Sequence, residues 1–281
     1  VTEPTATGQT GQADLPPLPT LGGLPPLPTL GPVGRRPPPG GARREWVTAT
    51  VEACTEETAH ARTLRLRLPD GTPAHTPGQH YVVRVRRDDG SWAQRSYSVA
   101  SAPALPPAPP TVDLTVERLD DGELSPYLHS LHVGDRVELR GPFGGWFVWR
   151  GERPVLLVGG GSGVVPLASV LRAWQQRGRP GGDGAMHLVV SVRSPADLFY
   201  AAELTGSPDV TVVHTRTAPD GAARPPGRLT VDDLRPYVPA APDALTVYVC
   251  GSAAFAEGAT GLVVGAGVPA SAVRVEAFGP S

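Results

Sequence analysis

The sequence predicts a two-domain chain of β plus α/β class: a six-stranded antiparallel (Greek-key) barrel, then a doubly wound parallel sheet. Three observations carry that expectation. Six short strand-like runs, separated by turn formers, occupy residues 45 to 143. After Gly151 the rhythm changes to strand then helix, repeated. At the head of this second part, a buried-type run, Val155-Leu156-Leu157-Val158, feeds a glycine turn and a helical stretch.

Residues 1–44 stand apart as a tail rich in Pro, Gly and Thr. A nine-residue unit occurs twice in it, from Leu15 to Gly23 and from Leu24 to Pro32. Such a segment forms neither helix nor ladder and is expected to be disordered or polyproline II, free to dock on a partner's aromatic groove or to do little. The barrel is expected over 45–150, with strands at Trp46–Val51, Thr63–Leu68, Tyr81–Val85, Arg95–Ala100, Val112–Leu119 and Arg136–Arg140. Breakers such as Pro69-Asp70-Gly71 and the run from Pro103 to Pro110 separate them, and a short helix is expected at Ser125–Leu131. The α/β domain takes 151–281, with a helix at Val164–Gln176. Its further strands are expected at His187–Val192, Val210–His214, Leu245–Cys250 and Val273–Phe278, and the join at Trp149–Pro154.

Composition excludes several classes. The chain holds 25 basic and 27 acidic residues, a formal charge of −2, so no basic bias favours nucleic acid or an anionic membrane. Lys, Ile and Asn are absent, which points to a very GC-rich bacterial genome and makes Arg the default cation. Cys54 and Cys250 are the two cysteines, too few for a four-ligand iron–sulfur cluster or a disulfide scaffold. No secretory signal is apparent, and a cytoplasmic location is expected. The uncharged run from Pro154 to Leu171 is long enough to span a membrane, but its glycine-rich centre suits a strand, a turn and a helix better. The seven histidines show no metal-ligand spacing, so no metal site is expected; His129 and His132 read as one helix face. Asp232-Asp233 suits a helix start, and Trp146 and Trp149 suit domain-interface packing.

Chemistry enters with Gly159-Gly160-Gly161-Ser162-Gly163-Val164-Val165-Pro166. Glycines let backbone approach a pyrophosphate, and free N–H groups at a helix start attract its charge. Tight turns also need Gly for steric reasons alone. Pro166 stands where a G-x-G-x-x-G pattern would place its last Gly, and the next strand ends on Arg193 rather than on an acid, so the ordinary NAD fingerprint is not met. Arg95-Ser96-Tyr97-Ser98, Gly122-Glu123-Leu124-Ser125 and Gly141-Pro142-Phe143-Gly144 precede this turn in order.

Four ordered motifs from Trp46 to Phe278 make the chain resemble the ferredoxin–NADP reductase superfamily, especially bacterial reductase components that feed oxygenases. The resemblance implies FAD and NAD(P)H as cofactors. Arg95 would pair with the FAD pyrophosphate, Tyr97 would pack on the isoalloxazine or ribityl chain, and Ser98 would hydrogen-bond near flavin N5. Ser96 shares their strand. Val116 and Arg118 match a strand beside the flavin, and Gly122, Leu124 and Ser125 match a second pyrophosphate contact. Gly160, Gly161, Ser162, Gly163 and Pro166 would hold the nicotinamide dinucleotide. Thr215 and Arg216, helped by Arg193, match a 2′-phosphate grip. Cys250 and Gly251 would border the nicotinamide, where Ser98, Cys250 and Glu276 form the catalytic set. Phe278 matches the aromatic that covers the flavin, although Gly279-Pro280-Ser281 extend past it.

The implied function moves a hydride from NAD(P)H to FAD and electrons on to a separate redox protein, such as a ferredoxin, an oxygenase component or a molybdoenzyme component. Two rival readings stand beside it. One is a ferric or flavin reductase with a small acceptor; the other is a non-catalytic electron-transfer subunit docked through the tail.

Overall fold

Alternation of apolar and polar residues builds the first layer. In the computed structural model, which describes residues 45–87, 89–119 and 122–279, six strands form one antiparallel sheet. They are β1 (Val47–Thr58), β2 (Ala61–Arg67), β3 (His80–Arg86), β4 (Trp92–Ser98), β5 (Thr111–Glu117) and β6 (Arg136–Phe143). Their order is β4-β3-β6-β1-β2-β5. Edge strands β4 and β5 meet at a single bridge, Val99 to Leu114, so the barrel is open along most of that seam. Leu64, Leu66, Tyr81, Val83, Leu114, Val116, Val137 and Leu139 alternate inward and fill the core. Helix α1 (Leu124–Ser130) adds Leu124 and Leu128 to it. The proline-rich tail lies outside the described residues.

The second layer is parallel. Strands β7 (Val155–Gly160), β8 (Met186–Val192), β9 (Val210–His214), β10 (Thr246–Ser252) and β11 (Val273–Phe278) pair in the order β11-β10-β7-β8-β9. Helices α2 (Val164–Gln176), α3 (Ala201–Leu204), α4 (Val231–Leu234) and α5 (Ala253–Gly265) connect them. Every residue of β8 is buried, as expected of a strand covered on both faces. Strand order reverses between β7 and β10, the point at which open α/β sheets bind ligands beyond the carboxyl ends of their strands. Among the described residues, no helix is long and apolar enough to cross a membrane.

Several local expectations shift. Strand β1 runs on to Thr58 because it folds into a hairpin with β2. Helix α1 ends at Ser130, where Leu131 turns extended, so His132 lies past the helix and shares no face with His129. Trp146 is 65 % exposed and does not pack between domains. Trp149 is buried in the expected seam. Asp233 does open a helix: it forms a capping box with Thr230 and pairs with Arg224 at 2.6 Å.

One apolar cluster joins the two layers. It unites Ala61 and Ala100 of the barrel with Phe147 and Trp149 of the connection, and continues into α2, β8 and β10. The Trp149 backbone N–H donates to Pro77 O at 3.0 Å and its indole Nε1 to Glu152 O at 2.8 Å. Gly78 makes the crossing possible, because a Cβ there would overlap the Phe147 carbonyl. Removing the Trp149 ring leaves a cavity in the seam; Trp149→Ala is expected to cost roughly 3–5 kcal/mol in urea unfolding.

Candidate active site

The carboxyl ends of β7 and β10 place the glycine turn. Gly163 abuts the carbonyl of Cys250, which any side chain would overlap. Gly160 and Gly251 flank the Phe255 ring, whose atoms lie 2.5 and 2.6 Å from where a Cβ would stand. Packing alone therefore requires these three glycines. Gly161 differs: its φ is +54° and open space faces it, so its backbone is accessible to a ligand. Ser162 is half-buried beside it, and Pro166 is buried in the first turn of α2, where no intrahelical N–H is needed.

Strands β10 and β11 carry the next residues. Cys250 pairs in register with Glu276, so both side chains leave the sheet on one face. Cys250 is fully buried, and burial, then Glu276, pushes its thiol well above the usual range. Burial raises the Glu276 carboxyl to about 7. Phe278, two residues on, packs against the cluster containing Cys250. Arg274, two residues earlier, donates to Val148 O at 2.8 Å and to the Tyr248 hydroxyl at 2.7 Å. This face therefore looks toward the inter-sheet connection.

On the barrel, edge strand β4 carries exposed Arg95 and Ser96, then Tyr97, which packs against the barrel core. The Arg95 guanidinium is exposed and donates to Gln94 O at 2.9 Å; among the described residues no carboxylate pairs with it. Tyr97 is half-buried, and burial lifts its phenol to about 12 against the pull of Arg95. Ser98 is buried opposite His80, which burial keeps below its usual pKa. Val116 and Leu124 point into the core, so each offers only backbone to a ligand. The Val116 carbonyl already meets His129 Nε2 at 2.9 Å. The Ser125 hydroxyl accepts from the Leu119 N–H at 3.0 Å, and the Gly122 N–H donates to Leu119 O, so this loop is held by its own bonds. The Arg118 N–H reaches His60 O at 2.7 Å.

The two halves share helix α2. Arg172 donates to Ala100 O at 2.9 Å and Ser169 to Ser101 O at 2.7 Å, just past Ser98. The helix that begins at the glycine turn thus grips the end of β4. Arg193, Thr215 and Arg216 also come together: Thr215 N–H donates to Val192 O and Arg216 N–H to Arg193 O. Both arginines are exposed and, among the described residues, unpaired. Sequence reasoning missed Arg172, Ser169 and Tyr200, since nothing in the local pattern says that they reach the barrel.

Comparison with known proteins fits this geometry. Residues 48–148 match the oxidoreductase FAD-binding domain family and residues 157–260 the oxidoreductase NAD-binding domain family. The chain belongs to the ferredoxin–NADP reductase superfamily. It is 30 % identical, over 83 % of its length and 65 % of the relative's, to the ferredoxin reductase component of a 3-ketosteroid-9-alpha-monooxygenase from Rhodococcus rhodochrous. A flavohemoprotein of Deinococcus radiodurans is 29 % identical over 74 % of this chain and 53 % of its own. The chain therefore spans about half to two thirds of the length of these relatives. The FAD/NAD-binding domain of a nitric oxide dioxygenase from Vibrio cholerae O1 biovar El Tor shares the fold at a TM-score of 0.71. That match has 23 % identity and covers 83 % of this chain and 99 % of that one.

FAD and NAD(P)H are accordingly the cofactors of this superfamily member, and the residues fit them. An exposed, uncompensated guanidinium at Arg95 and an accessible glycine backbone at Gly161 both suit phosphate oxygens. Among the described residues, no group of His, Cys, Asp and Glu is arranged to hold a metal ion.

The half-buried Glu276 carboxyl has a pH signature. An unfolded chain ionises Glu276 near the ordinary 4.5, whereas the folded protein keeps the proton up to about 7. Its contribution to stability is therefore full below the lower value and lost as pH rises through the higher one. Glu276→Gln is expected to melt increasingly above wild type between about pH 5 and about pH 8. A constant difference in melting temperature across that range would contradict the assignment.

Proposed function

We propose that this chain takes a hydride from NAD(P)H onto FAD and passes electrons to a separate redox protein: a ferredoxin, an oxygenase component or a molybdoenzyme component. The observation that carries the reading is the shared anchoring of both half-sites on α2. That helix starts at the glycine turn and holds the backbone just past Ser98. FAD supplies a two-electron acceptor able to release electrons singly, and the protein supplies orientation and electrostatics.

We assign FAD to residues 45–150 and the dinucleotide to residues 151–281. Arg95 grips the flavin's diphosphate, since its planar fork bonds two oxygens at once and, among the described residues, no carboxylate competes. Tyr97 lies against the isoalloxazine or ribityl chain, and Ser98 donates a hydrogen bond near N5. Ser96 and the backbone of Val116, Arg118, Gly122, Leu124 and Ser125 line the same ligand. Gly160, Gly161, Ser162 and Gly163 present backbone to the dinucleotide pyrophosphate at the start of α2, ahead of Pro166. Arg193, Thr215 and Arg216 surround the adenosine ribose, and unpaired guanidinium groups suit a 2′-phosphate better than a 2′-hydroxyl. Cys250 and Gly251 border the nicotinamide. A thiol kept protonated acts there as a small packing surface rather than a nucleophile. Glu276 holds a proton near neutral pH beside it, and Phe278 shields the pocket from water.

A separate acceptor agrees with the cysteine positions, Cys54 on β1 and Cys250 on β10, which cannot share a cluster. The relative named as a ferredoxin reductase component supports the same view.

The test is anaerobic mixing of the FAD-loaded chain with NADPH or NADH. The visible flavin absorbance is expected to bleach, and Arg95→Ala is expected to weaken FAD binding about tenfold or more in a fluorescence titration. A wild-type chain that retains no FAD, or whose bound FAD is unaffected by either dinucleotide, would remove the reading.

A further inference from the structure

Tyr200, outside both half-sites, bolts them together. It caps α3 in the left-handed conformation at φ +58°, uncommon for a bulky side chain. In that conformation its N–H donates to Glu57 Oε2 of β1 at 3.0 Å, while its ring is buried against the barrel. Its hydroxyl lies 2.5 Å from Thr115 Oγ1 of β5, which lies 2.8 Å from Thr63 Oγ1 of β2. Thr63 donates to Glu57 Oε1 at 2.7 Å. One proton per hydroxyl then sets every direction. Thr63 donates to the carboxylate, so Thr115 donates to Thr63 and Tyr200 donates to Thr115. Burial keeps the phenol protonated, as a donor must be.

The result is a closed ring of four residues, three on adjacent barrel strands and one on the α/β domain. Arg172 completes the clamp from the other side. Its guanidinium stacks 4.3 Å over the Tyr200 ring, bonds Glu203 at 3.0 Å and donates to Ala100 O. Apolar seams resist separation more than sliding, whereas directional bonds between fixed strands resist both. The strands held are consequential: the ring holds β5, which carries Val116 and leads to Arg118, while Arg172 holds the backbone leaving β4 after Arg95 to Ser98.

We propose that Tyr200 is a positioning residue for hydride transfer, its hydrogen-bond ring setting the gap between the flavin strands and the glycine turn. This rests on the redox reading above. A misplacement of about 1 Å between reacting groups can cost about a hundredfold in rate.

The experiment uses the full FAD-loaded chain. Tyr200→Phe and Thr115→Val each remove one hydroxyl of the ring, and Thr115→Ser restores one. Three quantities are read: the limiting rate of flavin bleaching, the nicotinamide–flavin charge-transfer absorbance, and the dinucleotide Kd. Phe and Val are expected to slow bleaching about tenfold and to shrink the charge-transfer band, with Kd within about twofold. The double variant should be no slower than either single one, and Ser should behave as wild type. Variants that melt earlier yet keep the wild-type limiting rate and band would overturn the proposal while leaving the redox reading intact. Wild-type flavin that does not bleach would overturn both.

Discussion

An antiparallel and a parallel sheet share one seam here, and its chemistry decides how closely they approach. Trp149 provides the apolar bulk, while Arg172 and Ser169 of α2 supply bonds to the backbone leaving β4. Neither alone would suffice. Dispersion contacts do not specify register, and isolated hydrogen bonds across a wet groove are weak. Together they tie the end of the strand carrying Arg95, Tyr97 and Ser98 to the helix that starts at the glycine turn.

Burial then tunes the groups on the far side of that seam. Cys250 and Glu276 lie opposite each other on neighbouring parallel strands, and removal from water favours the neutral form of each. An uncharged thiol beside a carboxyl that titrates near neutrality gives a low-polarity surface with a proton close at hand. Exposed guanidinium groups lie elsewhere, among them those of Arg95, Arg193 and Arg216.

Much of this was legible in the sequence. The apolar run before the glycine turn, and the helix Val164–Gln176 after it, read directly because burial on both faces leaves an unbroken signal. The last strand, Val273–Phe278, and the third parallel strand, Val210–His214, did so as well. Barrel edges were less clear: β1 extends to Thr58 because its partner β2 supplies bonds that a propensity reading cannot see. Aromatic residues misled most. Trp146 and Trp149 look alike in sequence, yet one is exposed and the other closes the seam. Tyr200 left no trace, because its role depends on a left-handed backbone and on threonines distant in the chain.

The most direct measurement is a crystal structure of the FAD-loaded protein soaked with an oxidised nicotinamide dinucleotide. The flavin ring should lie at the open seam between β4 and β5, within hydrogen-bonding reach of Ser98, with the dinucleotide pyrophosphate at Gly161–Gly163. A flavin seated in a cleft that neither the carboxyl end of β10 nor the start of α2 borders would contradict the account.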